Sequence, residues 1–396
     1  MKKIAIITFH FIKTPWYMDF FVNSCFQNKD VDFLFFTDIV EIERKYKGEN
    51  LRIILTTFED FKKSIYNHFD FDFNIISPLK LCDIRPSFGE VFKNYLSNYD
   101  FWGYCDTDIV FGRIRDYLTD EVLDEYDVIF AKEHYPSGFF AMYRNLEVIN
   151  ELYRTTDYKK TFQNEKLLLF DECGGHYDEV CAGTNILDTN YDVDSIHHIL
   201  ERNKDKVKVL YDFSSIESII GEIRYEEGVL SFENKIEFLL YHFTIFKKTF
   251  FFKEKDVPNF KTYNSYYIGK YKISKSNWLN IKYNNLRSYL TTRISLFTLK
   301  LKYYYTIFFG LKKMSKLEVG LYTYMKQNRI INCHSNKIFM VYPDGRSNEI
   351  VFVKNDIFYE INNNKFYKSF NMKNSCFNSF SAININGGVY AYSIAN

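Results

Sequence analysis

The stretch YDFWGYCDTDIVFG (residues 99–112) carries the strongest structural signal in this 396-residue sequence. Residues 101–105 form an apolar run, which predicts a strand buried on both faces of a sheet. The run ends in Asp106-Thr107-Asp108, and a second apolar run follows directly. Because alternate residues of an extended segment point the same way, the carboxylates of Asp106 and Asp108 can converge on one Mg²⁺ or Mn²⁺ ion. Asp-x-Asp alone is typical of a solvated turn, but its place at the end of a buried strand favours a metal site.

Apolar runs and helical patterns alternate on both sides of this stretch. The predicted strands are residues 3–11, 31–38, 51–58, 101–105, 128–131 and 139–143, and the predicted helices are residues 15–28, 58–69 and 86–99. This alternation is typical of an α/β domain with a mostly parallel sheet and helices on both faces. Ligands bind beyond the carboxyl ends of the strands in such sheets. Thr8 and Phe9, near the end of the first strand, are therefore candidate binding residues.

The chain divides into three predicted regions. Residues 1–256 form the α/β domain, which includes a short strand at 167–170. Residues 257–317 contain 12 Lys or Arg and no Asp or Glu, although the whole chain has a net charge of only +1. Within them, residues 286–313 show apolar and basic positions at helical spacing, so we expect an amphipathic helix on an anionic membrane surface. The alternative is an ordinary helix packed on the α/β domain. Residues 318–396 show short alternating runs typical of a small β-rich unit.

The composition argues against several classes of protein. Phe, Trp and Tyr make up 19% of the residues, too many for a long disordered chain. Seven Cys without a CxxC pair indicate neither a zinc site nor a disulfide framework, and they favour a reducing compartment. The longest late apolar stretch is far shorter than the ~20 residues of a spanning helix, so we expect no membrane crossing. The basic region matches no nucleic-acid-binding motif, and no nucleic-acid partner is expected.

Two blocks of sequence resemble a known family. KLCDIRPSFGEVFKNYLSNYDFWGYCDTDIVFG (80–112) is similar to bacterial glycosyltransferases of the GT-A fold, which are found with capsule and O-antigen synthesis. The shared pattern is a Lys, a Cys-Asp-x-Arg/Lys-Pro helix start and then Phe-Trp-Gly-x-x-Asp-x-Asp. TPWYMDFFVNSCFQNKDVDFLFFTD (14–38) resembles the opening of the same family. The resemblance extends over residues 1–250 and implies a nucleotide-sugar donor and a divalent metal ion.

The resemblance also implies roles for residues outside the Asp-x-Asp motif. Lys80, Asp83 and Arg85 match the motif that precedes the strand, and they are implied to bind the donor together with Asp106. Gly138, before the strand FFAMYRN, marks a place where bare backbone comes close to the donor sugar. The alternatives are a structural Asp–Arg pair at the helix start and a plain turn at the glycine.

Two later motifs complete the implied site. LLLFDECGGH (167–176) has Asp171 and Glu172 after an apolar run, where the resemblance implies a catalytic or sugar-binding role. YHFTIFKK (241–248) resembles the element that closes the site in retaining relatives, which implies His242 as a third metal ligand and Lys248 at the diphosphate. Lys247 competes for the second role. A surface turn for the acidic pair and a packed core position for His242 are the alternatives.

The expected function is transfer of a hexose from a nucleotide-diphosphate sugar, preferably a UDP-sugar, to a glycan or lipid-linked glycan acceptor in surface polysaccharide synthesis. Mn²⁺ or Mg²⁺ would neutralise the diphosphate leaving group. The resemblance alone favours a retaining mechanism. The alternatives are a sugar nucleotidyltransferase, although no Gly-rich phosphate loop follows the first strand, and a non-catalytic glycan-binding protein. We expect a cytoplasmic location, with peripheral attachment to the inner face of the cell membrane through the basic region.

Overall fold

The computed structural model describes most of the first 275 residues and several strands near the carboxyl end. Residues 72, 74, 212–214, 217–222, 233–235, 249–253, 261 and 270–271 are the gaps before residue 276, and the later described residues are 350–354, 357–362, 365–371, 384–385 and 388–389. The chain forms two compact units, and most of the first consists of Met1–Ser215 with Leu239–Tyr241. The basic segment 286–313 lies outside the described residues.

A seven-stranded sheet forms the centre of the first unit. The strands up to residue 216 are β1 Ile4–His10, β2 Val31–Thr37, β3 Leu51–Leu55, β4 Phe101–Cys105, β5 Ile109–Phe111, β6 Val128–Phe130, β7 Phe140–Arg144, β8 Val209–Tyr211 and β9 Ser215–Ile216. The sheet has the order β3-β2-β1-β4-β7-β6-β8. Only β7 runs antiparallel to its neighbours in this sheet, where it pairs with β4 and β6. The predicted α/β class with a mostly parallel sheet is therefore confirmed.

Helices accompany the strands along the chain. Their bounds are α1 Met18–Gln27, α2 Val40–Lys45, α3 Phe58–Tyr66, α4 Phe88–Val91, α5 Lys93–Leu96, α6 Ile114–Tyr117, α7 Asp120–Glu125, α8 Glu147–Asn150, α9 Tyr158–Gln163, α10 Tyr177–Cys181, α11 Ile196–Arg202 and α12 Thr244–Lys248. Among the described residues, 3₁₀ segments lie at Pro78–Ser87, Leu152–Thr155, Ile186–Asp188 and Glu254–Asp256. The predicted helix over residues 86–99 is instead the end of the first 3₁₀ segment followed by α4 and α5.

Alternate residues of the central strands pack in two different cores. In β1, Ile7 packs in the core that contains Phe61 of α3. Its neighbour Ile6 packs in the core that contains Phe21 of α1. Since successive side chains of a strand point to opposite faces, the two cores lie on the two faces of the sheet. Each such side chain contributes about 1.5–3 kcal/mol on burial, and the prediction of helices on both faces is confirmed.

The predicted strand at residues 167–170 is wrong. Leu169 has a φ of +57°, outside the β region, so the chain cannot continue as a strand there. The backbone N–H groups of Leu168 and Phe170 donate to the carboxylate of Asp83 instead of to a neighbouring strand. A side chain distant in sequence therefore takes the place of a sheet partner.

The second unit contains an antiparallel sheet. Its strands β10 Ile223–Glu226, β11 Val229–Phe232, β12 Ile236–Glu237, β14 Ser265–Ile268 and β15 Ile273–Lys275 have the order β12-β11-β10-β14-β15. Strand β13 is Leu240–His242. Further along the chain, a three-stranded antiparallel sheet consists of β16 Ile350–Lys354, β17 Ile357–Asn362 and β18 Lys365–Asn371. The predicted domain boundaries at 256 and 317 stay predictions. No helix of the described residues is long and apolar enough to span a membrane.

Glu90 of α4 contacts the turn after α3 and the 3₁₀ segment Leu152–Thr155 through one carboxylate. His68 contacts its Oε1 atom at 2.8 Å, and the hydroxyl of Tyr153 donates to its Oε2 atom at 2.6 Å. The guanidinium of Arg154 donates to both oxygens at 2.7 and 2.8 Å. Partial burial acts to raise the pKa of Glu90, but these hydrogen bonds outweigh it and lower the pKa to about 2.

We predict that this carboxylate stabilises the fold at neutral pH and ceases to do so in acid. Because its pKa in the folded state lies below its ordinary value of 4.5, its contribution is complete above that value and disappears as the pH falls towards 2. Glu90→Gln should lower the free energy of unfolding by about 1–3 kcal/mol at pH 7. Urea unfolding of both proteins should show this difference shrinking between pH 4.5 and 2. A difference that is constant over that range contradicts the assignment, and Glu59→Gln at an exposed glutamate is the control.

Candidate metal and substrate site

Two aspartates and one histidine come together at the carboxyl end of β4. Asp106 follows the last residue of β4, and its backbone N–H donates to the Phe139 carbonyl at 2.9 Å. After Asp108 the chain enters β5, which pairs with β13 in a three-stranded sheet. His242 is the last residue of β13. Asp106, Asp108 and His242 each offer one ligand atom, and these atoms all lie within 4.8 Å of one another.

The chemistry of this group fits Mn²⁺ or Mg²⁺. Carboxylate oxygens suit both ions, and a neutral imidazole nitrogen suits Mn²⁺. Asp108 and His242 are each only 5% exposed, whereas the side chain of Asp106 is 31% exposed. A buried carboxylate is costly unless a cation or hydrogen bonds compensate for its lost hydration. A divalent cation beside both aspartates would offset that cost, and the exposed side of Asp106 leaves access from solvent.

The guanidinium of Arg85 connects this group to the acidic pair at 171–172. It is buried between the rings of Phe9 and Tyr104, with its Cζ atom 5.4 and 5.3 Å from the two ring centroids. Its Nη2 atom donates to Asp106 Oδ1, and its Nη1 atom donates to Asp171 Oδ2 at 3.2 Å. Nη1 also donates to the carbonyl of Gly138. One cation therefore ties a candidate metal ligand to a candidate catalytic carboxylate.

Asp171 has one oxygen available for a substrate. The side chain is 1% exposed, and its Oδ1 atom has no hydrogen-bond partner among the described residues. Burial raises the pKa of Asp171 well above its ordinary value, although Arg85 acts in the opposite direction. A carboxyl group held in this way can accept a hydrogen bond or, when protonated, donate one. A hydroxyl-bearing ligand would satisfy the Oδ1 atom.

Glu172 and Gly138 contact each other closely beside this carboxyl group. The backbone N–H of Gly138 donates to Glu172 Oε1 at 3.2 Å, and the hydroxyl of Tyr177 donates to Oε2. A Cβ atom added at Gly138 would lie 2.5 Å from Oε1 and 2.8 Å from Cγ of Glu172. Residue 138 must therefore be glycine for the carboxylate to lie where it does. The expected approach of bare backbone to a donor sugar at this glycine stays a prediction.

The other residues predicted to bind the donor are buried, partly buried in the case of Phe9, or have a side chain outside what is described. Thr8 is fully buried, and its hydroxyl donates to the carbonyl of Cys105 at 2.9 Å. Phe9 contacts Arg85 through its ring. Lys80 and Asp83 are buried and contact each other and nearby backbone. Lys248 ends α12, but its side chain lies outside the described residues. Their donor-binding roles stay predictions.

His10 and Tyr17 belong to the same neighbourhood and were missed by the sequence analysis. The Nδ1 atom of His10, the last residue of β1, lies 3.2 Å from the Thr107 hydroxyl. Tyr17 also hydrogen-bonds to Thr107, and burial together with the charge of Asp108 raises the pKa of its phenol well above the ordinary value. The position of His10 at the carboxyl end of a strand could have identified it. Tyr17 had no comparable signal, because an aromatic residue before a helix usually packs in the core.

Comparison with known proteins identifies the family. A family model described as "Family of unknown function (DUF6625)" matches residues 6–277, and the chain belongs to this family. No curated protein matches the chain.

Three similar solved structures are of sugar transferases. The galactosyltransferase LgtC in complex with donor and acceptor sugar analogues is 15% identical, with 55% of this chain and 74% of that chain covered and a TM-score of 0.27. A structure of an active-site mutant of LgtC is 14% identical over 55% and 73% of the chains, with a TM-score of 0.26. Mouse xyloside xylosyltransferase 1, in its apo form, is 8% identical over 41% and 71%, with a TM-score of 0.27.

We predict that Gly138→Ala destabilises the protein through Glu172. Because the new Cβ overlaps the glutamate side chain, the substitution should cost about 1–3 kcal/mol of unfolding free energy. In a Glu172→Ala background the space is free, so the same substitution should cost much less. Chemical denaturation of the two single variants, the double variant and the wild type measures this coupling. Equal costs in the two backgrounds would show that the glycine is not required by Glu172.

Proposed function

We propose that this protein is a metal-dependent glycosyltransferase that uses a nucleotide-diphosphate sugar as donor. The observation that supports the proposal is the group of Asp106, Asp108 and His242 at the carboxyl end of β4. Two carboxylates and an imidazole leave coordination positions for phosphate oxygens and water, as Mg²⁺ and Mn²⁺ require when they bind nucleotides. The resemblance of residues 80–112 to sugar transferases supports the same reaction.

The metal ion and its three ligands would act on the leaving group. When bound, the ion supplies positive charge that neutralises the departing diphosphate. Asp106 would hold it from the end of β4, Asp108 from the start of β5, and His242 from the end of β13, where regular strands position the ligands. Arg85 donates to Asp106 and so fixes the orientation of that carboxylate. We propose that Arg85 acts through Asp106, because its Nη2 atom donates to that carboxylate while its Nη1 atom donates to Gly138 and Asp171.

The acidic pair would bind the transferred sugar. Asp171 has its Oδ1 atom available, and a sugar hydroxyl matches the hydrogen-bonding capacity of a buried carboxyl group. Glu172 is held on both oxygens, by the Gly138 N–H and the Tyr177 hydroxyl. Because both contacts fix its orientation, Glu172 is proposed to shape the pocket beside Asp171. Retention of the anomeric configuration is proposed from the sequence resemblance.

The substrates and the place of action are proposed from the sequence. We propose a UDP-hexose as donor and a glycan or lipid-linked glycan as acceptor, in the synthesis of a bacterial surface polysaccharide. The basic amphipathic segment at 286–313 would bring the enzyme to an anionic membrane surface on the cytoplasmic side. That segment lies outside the described residues, and membrane attachment stays a prediction.

We predict that the purified protein releases UDP from a UDP-hexose when Mn²⁺ is present. Asp108→Asn should reduce turnover by ~10²–10³-fold, because it removes a charged ligand where negative charge develops on the leaving group. EDTA should abolish turnover in the wild type. Asp116→Asn is the matched control, because Asp116 is a half-exposed aspartate whose partner is the exposed Arg113.

The products separate the proposed reaction from its alternatives. A screen of UDP-hexoses with and without acceptor reports UDP release, whereas UTP with a sugar 1-phosphate reports pyrophosphate release. Pyrophosphate as the product would identify a nucleotidyltransferase and overturn the proposal. Mn²⁺-dependent binding of UDP-sugars without any turnover would point to the non-catalytic glycan-binding alternative. Turnover in Asp108→Asn equal to that of Asp116→Asn would contradict the metal mechanism.

A further inference from the structure

Lys80 and Asp83 form a buried ion pair within the 3₁₀ segment Pro78–Ser87. Lys80 is 1% exposed and Asp83 is fully buried. The Nζ atom of Lys80 donates to Asp83 Oδ2 at 2.7 Å, to the Thr161 carbonyl at 3.0 Å and to the Lys166 carbonyl at 2.9 Å. An ammonium group has three N–H donors, and all three are used here. Lys80 therefore has no donor left for a ligand.

The carboxylate of Asp83 substitutes for a neighbouring strand. Its Oδ2 atom accepts from the backbone N–H of Leu168 at 2.9 Å, and its Oδ1 atom accepts from that of Phe170 at 2.9 Å. Both N–H groups point to the same carboxylate, although the chain between them is not extended. Buried backbone N–H groups need a partner, and hydrogen bonds from N–H groups to a charged acceptor are stronger than those between neutral groups. The ion pair therefore fixes the backbone at 166–170 from both ends.

The fixed backbone includes an unfavourable conformation. Leu169 lies between the two N–H groups that contact Asp83, and its φ of +57° is rare for a bulky side chain. Such a conformation persists only where the surroundings over-determine it. The chain then continues directly from Phe170 to Asp171, whose Oδ2 atom accepts from Arg85.

We propose that Lys80 and Asp83 are positioning residues that fix the segment 166–170 and thereby present the Asp171 carboxyl group at the substrate site. The proposal rests on the proposed transferase function for the role of Asp171. It assigns the two residues an indirect role, whereas the sequence resemblance implied direct contact with the donor. The three donors of Lys80 and both oxygens of Asp83 are used in contacts with the protein itself, which supports this indirect role. A misplacement of a catalytic group by about 1 Å can cost ~10²-fold in rate.

Hydrogen–deuterium exchange followed by mass spectrometry tests the structural half of the proposal without any need for activity. The variants are Asp83→Asn and, because a lone buried charge can prevent folding, the neutral pair Lys80→Met with Asp83→Leu. Peptides that cover Leu168 and Phe170 should exchange about tenfold or more faster than in the wild type, while peptides from β4 keep their protection. Lys166→Met, at an exposed lysine of the same segment, should leave the exchange rates of both sets of peptides unchanged. Unchanged exchange at 166–170 in a folded variant would overturn the proposal.

Kinetics test the functional half. In the variants, kcat should fall by ~10²-fold, while the dissociation constant for UDP with Mn²⁺ stays within about threefold of the wild type. Lys166→Met should retain both values. A parallel loss of UDP–Mn²⁺ affinity and kcat would overturn the proposal in favour of direct donor contact. If the wild type transfers no sugar but the exchange result holds, the proposed transferase function fails while the role of the pair in fixing 166–170 stands.

Discussion

The candidate site depends on the hydrogen bonds and ion pairs that the buried guanidinium of Arg85 makes. It donates to Asp106, Asp171 and the Gly138 carbonyl, three groups that lie on separate stretches of the chain. A buried charge is tolerated only where it is paired and hydrogen-bonded, so each partner holds the guanidinium and is held by it. Without it, two carboxylates would face each other in a poorly solvated site. The contacts of one side chain therefore set how Asp106 and Asp171 lie relative to each other.

The 3₁₀ segment Pro78–Ser87 contributes three charged side chains to this arrangement. Arg85 contacts the side chains of the site, while Lys80 and Asp83 contact the backbone that leads to Asp171. A 3₁₀ segment has about three residues per turn, so positions 80 and 83 lie on the same side and can form an ion pair. The site is thus supported by buried electrostatic contacts, and Asp106 and His242 lie at the ends of β4 and β13, strands of two different sheets.

The parts of the fold that depend on residues close together in the sequence were predictable. The apolar runs of β1, β2 and β4 and the spacing of Asp106 and Asp108 are local patterns, and the sheet and the paired carboxylates follow from them. The interpretation of residues 167–170 as a strand was wrong for two reasons. An apolar run does not indicate the left-handed φ of Leu169, and it does not indicate that a carboxylate 85 residues earlier accepts from Leu168. His242 was suggested by resemblance, but its approach to the aspartates depends on the pairing of β13 with β5, which no local pattern contains.

Manganese binding tests the central claim most directly, because it requires no knowledge of donor or acceptor. Electron paramagnetic resonance of free Mn²⁺, titrated with protein in the presence of UDP, gives the affinity of the site. The account predicts saturable binding that weakens by about tenfold or more in Asp108→Asn and by a smaller factor in His242→Ala, where a neutral ligand is lost and the charge is unchanged. Asp116→Asn should bind as the wild type does. Equal Mn²⁺ affinity in all four proteins would contradict the assignment of Asp106, Asp108 and His242 as the metal site.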